Sequence, residues 1–297
     1  MVRAFLVDQK WVIVKAAAYV VVVISFYVVF LWFLFPYNAL TTRLVERLRS
    51  RSLDVSVGST TGAFPLGLKF HHVVVKKESG GSEKDLLAAD EIELIPGILS
   101  IFRGWLSLSI MARLYHGSIL FNIGLHKRDF ACNGVIKDID IGMYPVLRSS
   151  YGLNMIGKLN ARLNIKGSMD NVAKDAGKGV MDMKAVALEP SNLLGILPLP
   201  KIDFGDITLP VYIKDGRIDV QDASQTSKDI NSQLDGSIML MTPAGNSTLD
   251  LRLKFNPTPA LEAQIRKTVP LFMLTRAPSG YFNMHITGNV SMPRFNQ

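Results

Sequence analysis

Apolar and polar residues alternate with a period of two over most of the chain from residue 53 onward. In the clearest run, 249–255, leucines and a phenylalanine alternate with Asp250, Arg252 and Lys254. Strict alternation is typical of strands with one buried and one solvated face, the arrangement of antiparallel sheets. The pattern predicts a mostly β fold, with a curved or folded antiparallel sheet and a few short covering helices.

The alternation also assigns the faces of the late strands. A shift of one residue would expose every apolar side chain, so the pattern determines the register. In the predicted last strand, 280–292, the residues Asn283, His285 and Thr287 should face outward. The residues predicted to face inward are Phe282, Met284, Ile286, Val290, Leu249, Leu251, Leu253 and Phe255.

Some stretches depart from the period of two. Residues 259–275 carry apolar side chains at helical spacing and predict a helix, kinked by Pro270, that covers one end of the sheet. Shorter helical turns are predicted at 98–103 and 193–197. Asp215-Gly216 predicts a hairpin turn. The polar stretches 170–178 and 221–231 predict loops.

The longest apolar run is 16–35, which contains no charge and no proline. As a helix it would extend roughly 30 Å, the hydrocarbon thickness of a bilayer. No small-residue cleavage site follows the run, which distinguishes it from a signal peptide. We therefore expect an uncleaved transmembrane anchor.

Basic residues flank this run on both sides, so their balance does not assign its orientation. Because an export-type β domain follows, we expect a single-pass protein with its N-terminal arm in the cytoplasm and its large domain outside it. The predicted parts are a cytoplasmic arm (1–15), the transmembrane helix (16–35), a juxtamembrane helix or linker (36–52) and an exported β-rich domain (53–297).

A cluster of arginines follows the predicted anchor. Such a cluster is either ordinary flanking charge or a set of contacts to lipid headgroups, which are the candidate membrane contacts of the chain. The remaining basic residues are spread along polar strand faces, so the net charge of +8 does not predict a nucleic-acid partner. The candidate headgroup contacts are Arg43, Arg47, Arg49 and Arg51.

The sequence contains no arrangement typical of an active site. It lacks a nucleophile elbow, a phosphate-binding loop and a dinucleotide-binding turn. His71 and His72 are adjacent, so in a strand they would point to opposite faces and could not easily share a metal ion. The single cysteine, Cys132, is interpreted as a small apolar filler. We expect no enzymatic activity, no metal and no cofactor.

The ends of the chain resemble a known family. The long apolar run leads into Phe35-Pro36-Tyr37-Asn38, and a late helix precedes the segment 280–295, GYFNMHITGNVSMPRF. This order is similar to the type II secretion system protein N family (GspN), and the terminal segment is also similar to AsmA-like proteins. The resemblance implies a non-enzymatic accessory subunit or scaffold with other type II secretion components as partners. It also implies a single-pass protein of the bacterial inner membrane whose β-rich domain, 53–297, lies in the periplasm.

A second hypothesis comes from the apolar faces of the strands. Few helices are predicted to cover them, so the sheet either folds on itself or leaves its apolar face open to a ligand. AsmA-like proteins use such a face to hold acyl chains, which would make phospholipid or lipopolysaccharide the ligand. Adaptable methionines would suit either a lipid groove or a core: Met181, Met183, Met239, Met241 and Met284.

Overall fold

The computed structural model describes residues 53–63, 67–79, 82–97, 104–193, 197–221, 223–242, 244–268, 280–290 and 292–296, together with Ser100 and scattered positions between 15 and 46. Over these residues the chain is mostly β, as the alternation predicts. Fifteen strands form one sheet.

The strands follow one another closely along the chain. In order they are β1 (Leu53–Ala63), β2 (Gly67–Ser79), β3 (Ser82–Gly97), β4 (Leu106–Leu114), β5 (Gly117–His126), β6 (Asp129–Asp140), β7 (Met155–Ser168), β8 (Asn171–Leu188), β9 (Ser191–Leu193), β10 (Leu197–Leu199), β11 (Ile202–Lys214), β12 (Arg217–Val220), β13 (Ser224–Thr226), β14 (Ile230–Met239), β15 (Thr248–Pro257), β16 (Phe282–Asn289) and β17 (Met292–Asn296). Between described strands lie the α-helices α1 (Pro145–Tyr151) and α2 (Pro259–Thr268) and the short 3-10 helices Ile141–Met143 and Ala244–Asn246.

The sheet is antiparallel at every pairing. Its order is β1 to β8, then β11, β12, β14, β15, β16 and β17, with β13 paired to β11. Most neighbours in the sheet are therefore neighbours in sequence, joined by tight turns. The turn at Asp215-Gly216 is as predicted, with φ of 53° and 72°, the positive values that a two-residue hairpin requires.

Three of the predicted local structures are wrong. The polar stretch 170–178 belongs to β8 from Asn171 onward, because its backbone pairs there with β7. Residues Leu193 and Leu197 lie in the paired strands β9 and β10, since Leu197 precedes a proline and a residue there favours extended backbone. The predicted last strand is a hairpin of β16 and β17.

The predicted loop 221–231 also contains strand, namely β13 and the first residues of β14. The late helix begins at the predicted residue, Pro259, and is followed to Thr268. The remainder of that prediction, including Pro270, lies outside the described residues. In the stretch 98–103 only Ser100 is described, and it is helical.

The predicted anchor, 16–35, falls largely outside the described residues, and the positions within it that are described are helical. A search of the described residues finds no helix with the length and apolar character needed to cross a bilayer. Further along, Thr41 Oγ1 donates a 2.8 Å hydrogen bond to Thr60 Oγ1 of β1, and Val45 packs on the apolar cluster beneath it. The segment after the run therefore contacts the first strand of the sheet.

Two apolar clusters lie on one face of the sheet. The first is centred on strands β1 to β6, where Phe70, Leu114 and Tyr115 are buried. The second surrounds Leu188 and Ile202, and α2 contributes Leu261 to it. On the strands that reach both, the two clusters occupy the same end of the strands. We call this the closed end.

Candidate functional site

Cross-strand pairing brings apolar residues from distant parts of the chain into straight rows at the other end of the strands. Directly opposite residues of an antiparallel pair lie on the same face of the sheet. The rows lie on the face that carries the two clusters, because on their strands the row residues are an even number of positions from Ile119, Phe255 and Phe282. The first row consists of Ile110, Phe121, Gly134, Leu163, Gly179, Val211, Val220, Gly236, Leu251 and Ile286, each paired with the next.

A second row runs beside the first, two residues further along each strand. No polar residue occurs in either row. At about 4.8 Å per strand, the rows cross the sheet from β4 to β16 over roughly 40 Å. We call the two rows together the apolar stripe. The second row consists of Leu108, Ile123, Cys132, Ile165, Gly177, Ile213, Ile218, Ile238, Leu249 and Gly288.

The apolar stripe is less buried than the closed end. Of its members, only Gly134, Ile213 and Val220 are buried, and the others remain partly exposed. The helices α1 and α2 do not cover it: α2 packs in the second cluster, and Tyr144 at the start of α1 contacts Tyr115 edge-to-face in the first. These two helices therefore leave a long, unbroken apolar surface uncovered, and surfaces of this kind mark binding sites.

Glycines lower the relief of the apolar stripe. The ring of Phe121 occupies the space in which a side chain on Gly134 would lie. In the same way, a Cβ on Gly179 would come within 3.0 Å of Leu163 Cδ1. Because the side chains of Phe121 and Leu163 can lie flat against the sheet over these glycines, the surface of the stripe does not protrude at these positions.

The residues predicted to face inward lie mostly together. The pairs Phe255–Phe282, Leu253–Met284 and Leu251–Ile286 share the apolar face, and Leu249 lies in the second row of the stripe. Phe282 is buried at 3% exposure and stacks on Phe255 with ring centroids 5.4 Å apart. Thus Phe255 and Phe282 belong to the closed end, whereas Leu249, Leu251 and Ile286 belong to the apolar stripe.

Val290 does not face inward and is 49% exposed. It lies in the tight turn between β16 and β17, where its backbone N–H donates to Ser247 O at 2.9 Å. The physical reason is Gly288, whose φ of +87° ends the alternation before Val290 is reached.

Of the four arginines expected near the membrane, Arg43 is helical and exposed. Arg47, Arg49 and Arg51 lie outside the described residues. Arg43 is not part of the apolar stripe, and contact of the four arginines with headgroups stays a prediction.

Two titratable groups near the stripe, Cys132 and Asp250, have pKa values shifted by burial or by a hydrogen bond. Burial raises the pKa of the Cys132 thiol, consistent with an apolar filler that does not ionise readily. On the opposite face, His285 Nε2 lies 2.7 Å from Asp250 Oδ1, and this hydrogen bond lowers the pKa of Asp250. Within the described residues, no group of His, Cys, Asp and Glu side chains could hold a metal ion.

The opposite face is polar and has a depression of about 890 Å³ over strands β6 to β8. Arg162 and Lys178 line the depression together with Lys137 and Lys184. Tyr212 of β11 also lines it. Tyr212, unlike its neighbour Val211 in the apolar stripe, points to the polar side of the sheet. The depression and the stripe are therefore separated by the thickness of the sheet.

Sequence reasoning found single strand faces but missed both the apolar stripe and the depression. The signal for the stripe was present in the runs that begin at glycines, because those glycines share a face with the large apolar residues. Only strand pairing could align the runs. No family model, curated protein or solved structure matches the chain.

Proposed function

We propose that the protein binds the acyl chains of a lipid, such as a phospholipid or lipopolysaccharide, along the apolar stripe. The observation that carries the proposal is the pair of unbroken apolar rows, which cross ten strands and whose members are partly exposed apart from Gly134, Ile213 and Val220. Each methylene group that a bound chain removes from water contributes about 0.8 kcal/mol.

The shape of the stripe favours a linear apolar ligand. It is long and narrow, and its low relief at Gly134 and Gly179 allows a chain to lie flat across the strands. It offers no side-chain hydrogen-bond donor or acceptor apart from the weakly polar thiol of Cys132. A protein segment bound there would need to satisfy its backbone polar groups by itself, whereas a hydrocarbon chain has none.

A membrane is a plausible source of such a ligand for this chain. The apolar run 16–35 is expected to hold the protein at the inner membrane, and the following segment contacts β1 through Thr41. The sheet would then begin at the bilayer and lead away from it, one strand at a time. The resemblance to GspN supports a related proposal, that this lipid-binding sheet serves a type II secretion system as an accessory component, without enzymatic activity.

Photo-cross-linking tests the lipid proposal. A photoreactive phenylalanine analogue replaces Ile123 in the stripe or, as a matched control, the adjacent Asn122 on the polar face. The same comparison at Leu251 and Arg252 of β15 tests a part of the stripe far from Ile123 of β5. We expect cross-links to lipid at Ile123 and Leu251 but not at the two controls.

Equal cross-linking to lipid at stripe and control positions would contradict the proposal, as would its absence from all four. Cross-links from the stripe to a protein would identify a protein ligand instead. The secretion proposal has a separate test, since co-purification of other type II secretion components from native membranes is expected. Its failure would leave the lipid result unchanged.

A further inference from the structure

The depression on the polar face lies where the sheet is irregular. The pairing of β6 with β7 shifts between Ile136 and Ile139, and the pairing of β7 with β8 shifts between Ile156 and Lys158. Such bulges bend strands and increase their local twist. They lie at one end of the depression, where the bent strands leave a hollow on the polar face.

Cations dominate this hollow. On the polar face of β7 and β8, Asp182 is the only acidic residue to line it, and its Oδ1 already accepts a 2.8 Å hydrogen bond from Thr208 Oγ1. A second carboxylate, Asp138, lines the edge from the bulge of β6. The basic residues that line the hollow are Lys137, Arg162, Lys178 and Lys184.

Most of these cations lack a counter-charge within the described chain. Lys184 pairs with Asp206 at 2.9 Å, and elsewhere in the sheet Arg217 pairs with Asp219 at 2.7 Å. Lys137, Arg162 and Lys178 form no ion pair with any described residue. The hollow therefore has an excess of positive charge that the described residues do not neutralise.

The register holds two of these cations close together. Arg162 is opposite Val180 and Asn164 is opposite Lys178, which makes Arg162 and Lys178 diagonal neighbours. Diagonal neighbours lie about 7–8 Å apart, within reach of one shared ligand for long side chains. Like charges at such positions repel each other, and a bound anion would remove that repulsion.

Neutral groups complete a lining suited to an oxyanion. Asn164 Nδ2 donates to Asn133 Oδ1, which keeps both amides in the hollow, and Asn160 Oδ1 accepts a 3.1 Å hydrogen bond from the N–H of Asp138. Val135 and Val180 form an apolar floor between the charged groups. An Arg guanidinium provides paired donors for the oxygens of a phosphate, and a Lys ammonium adds a point charge.

We propose that this hollow binds a phosphate group, with Arg162 and Lys178 pairing to its oxygens. The site is distinct from the apolar stripe and does not depend on the function proposed for it. The phosphate belongs either to a soluble compound or to the headgroup of a lipid, and both sources present the same chemistry. A lipid held here by its headgroup could not lay its acyl chains on the stripe through the sheet, so the two sites would take separate molecules.

The test uses the full chain in micelles of a neutral detergent. Pyrophosphate is titrated calorimetrically into the wild type, into Arg162→Gln/Lys178→Gln and into a matched control, Lys214→Gln/Lys254→Gln. The control removes the same charge from two exposed lysines of β11 and β15 that do not line the hollow. We expect at least a tenfold weaker Kd for the first variant and a change of less than twofold for the control.

A second titration replaces pyrophosphate with phosphatidic acid in the same micelles. Tighter binding of pyrophosphate supports a soluble ligand, and tighter binding of phosphatidic acid supports a headgroup, provided that either is weakened by Arg162→Gln/Lys178→Gln. Absence of binding by both probes overturns the proposal. Equal weakening in the variant and the control also overturns it, because net charge and not the hollow would then explain binding.

Discussion

The two ends of the strands have the same apolar pattern but very different surroundings. At the closed end, Leu188 and Phe282 are 5% and 3% exposed, and Leu261 of α2, 4% exposed, packs in the cluster of Leu188. At the other end, Leu251 and Ile286 face the same side of the sheet and remain half-buried. The comparison teaches that alternation specifies an apolar face, whereas the elements packed upon it decide whether that face is a core or a surface.

The closed end should therefore contribute more to stability than the stripe. Phe282→Ala removes a buried ring that stacks on Phe255, and we expect a loss of about 3–5 kcal/mol in the free energy of unfolding. Ile286→Ala, four residues along the same strand, should cost only about 1 kcal/mol because its side chain is already partly exposed. Urea unfolding of the full chain in neutral detergent, followed by tryptophan fluorescence, measures both values. Equal losses would contradict the distinction between the two ends.

Within the stripe, low relief depends on the missing side chain of Gly134. Gly134→Val should force the Phe121 ring from its position, and overpacking of this kind costs about 1–3 kcal/mol. Phe121→Ala in the same chain should recover part of that loss, because the space is then free. A double-mutant cycle by urea unfolding measures the coupling. Additive losses would show that the ring and the glycine do not share this space.

The smallest expected effect concerns an ion pair on the polar side. Lys69 Nζ lies 2.7 Å from Glu91 Oε1, and this hydrogen bond holds the pKa of Glu91 below its ordinary value of 4.5. A carboxyl with a lowered folded pKa stabilises the fold at pH values above its unfolded pKa, and this contribution is lost as the pH falls through the folded pKa. Stability should thus decline below about pH 4.5.

Glu91→Gln should reduce that acid-dependent decline, and the effect should be modest because both side chains are partly solvated. Unfolding measured from pH 6 to pH 3 checks it, with Asp90→Asn, an exposed carboxylate of the same strand, as the control. An unchanged pH profile for Glu91→Gln would mean that the pair with Lys69 does not contribute to stability.

Much of the fold could be predicted from the sequence because strand formation and facing are local properties. The alternation in 249–255 specified both faces of β15, and Asp215-Gly216 specified a turn. Errors arose where composition was read without a partner strand. The polar start of β8 is a strand only because β7 lies beside it, and Val290 leaves the inner face only because Gly288 turns the chain toward β17.

By itself, the sequence determined a largely β chain with one apolar and one polar side to its strands, because side-chain direction follows from backbone geometry residue by residue. The tertiary structure alone decided which residues share a row, since a row joins positions as far apart as Ile110 and Ile286 through successive pairings. It also decided that Arg162 and Lys178 become neighbours, and that α2 covers one end of the strands but not the other. These properties depend on register and packing between distant segments, which no local pattern contains.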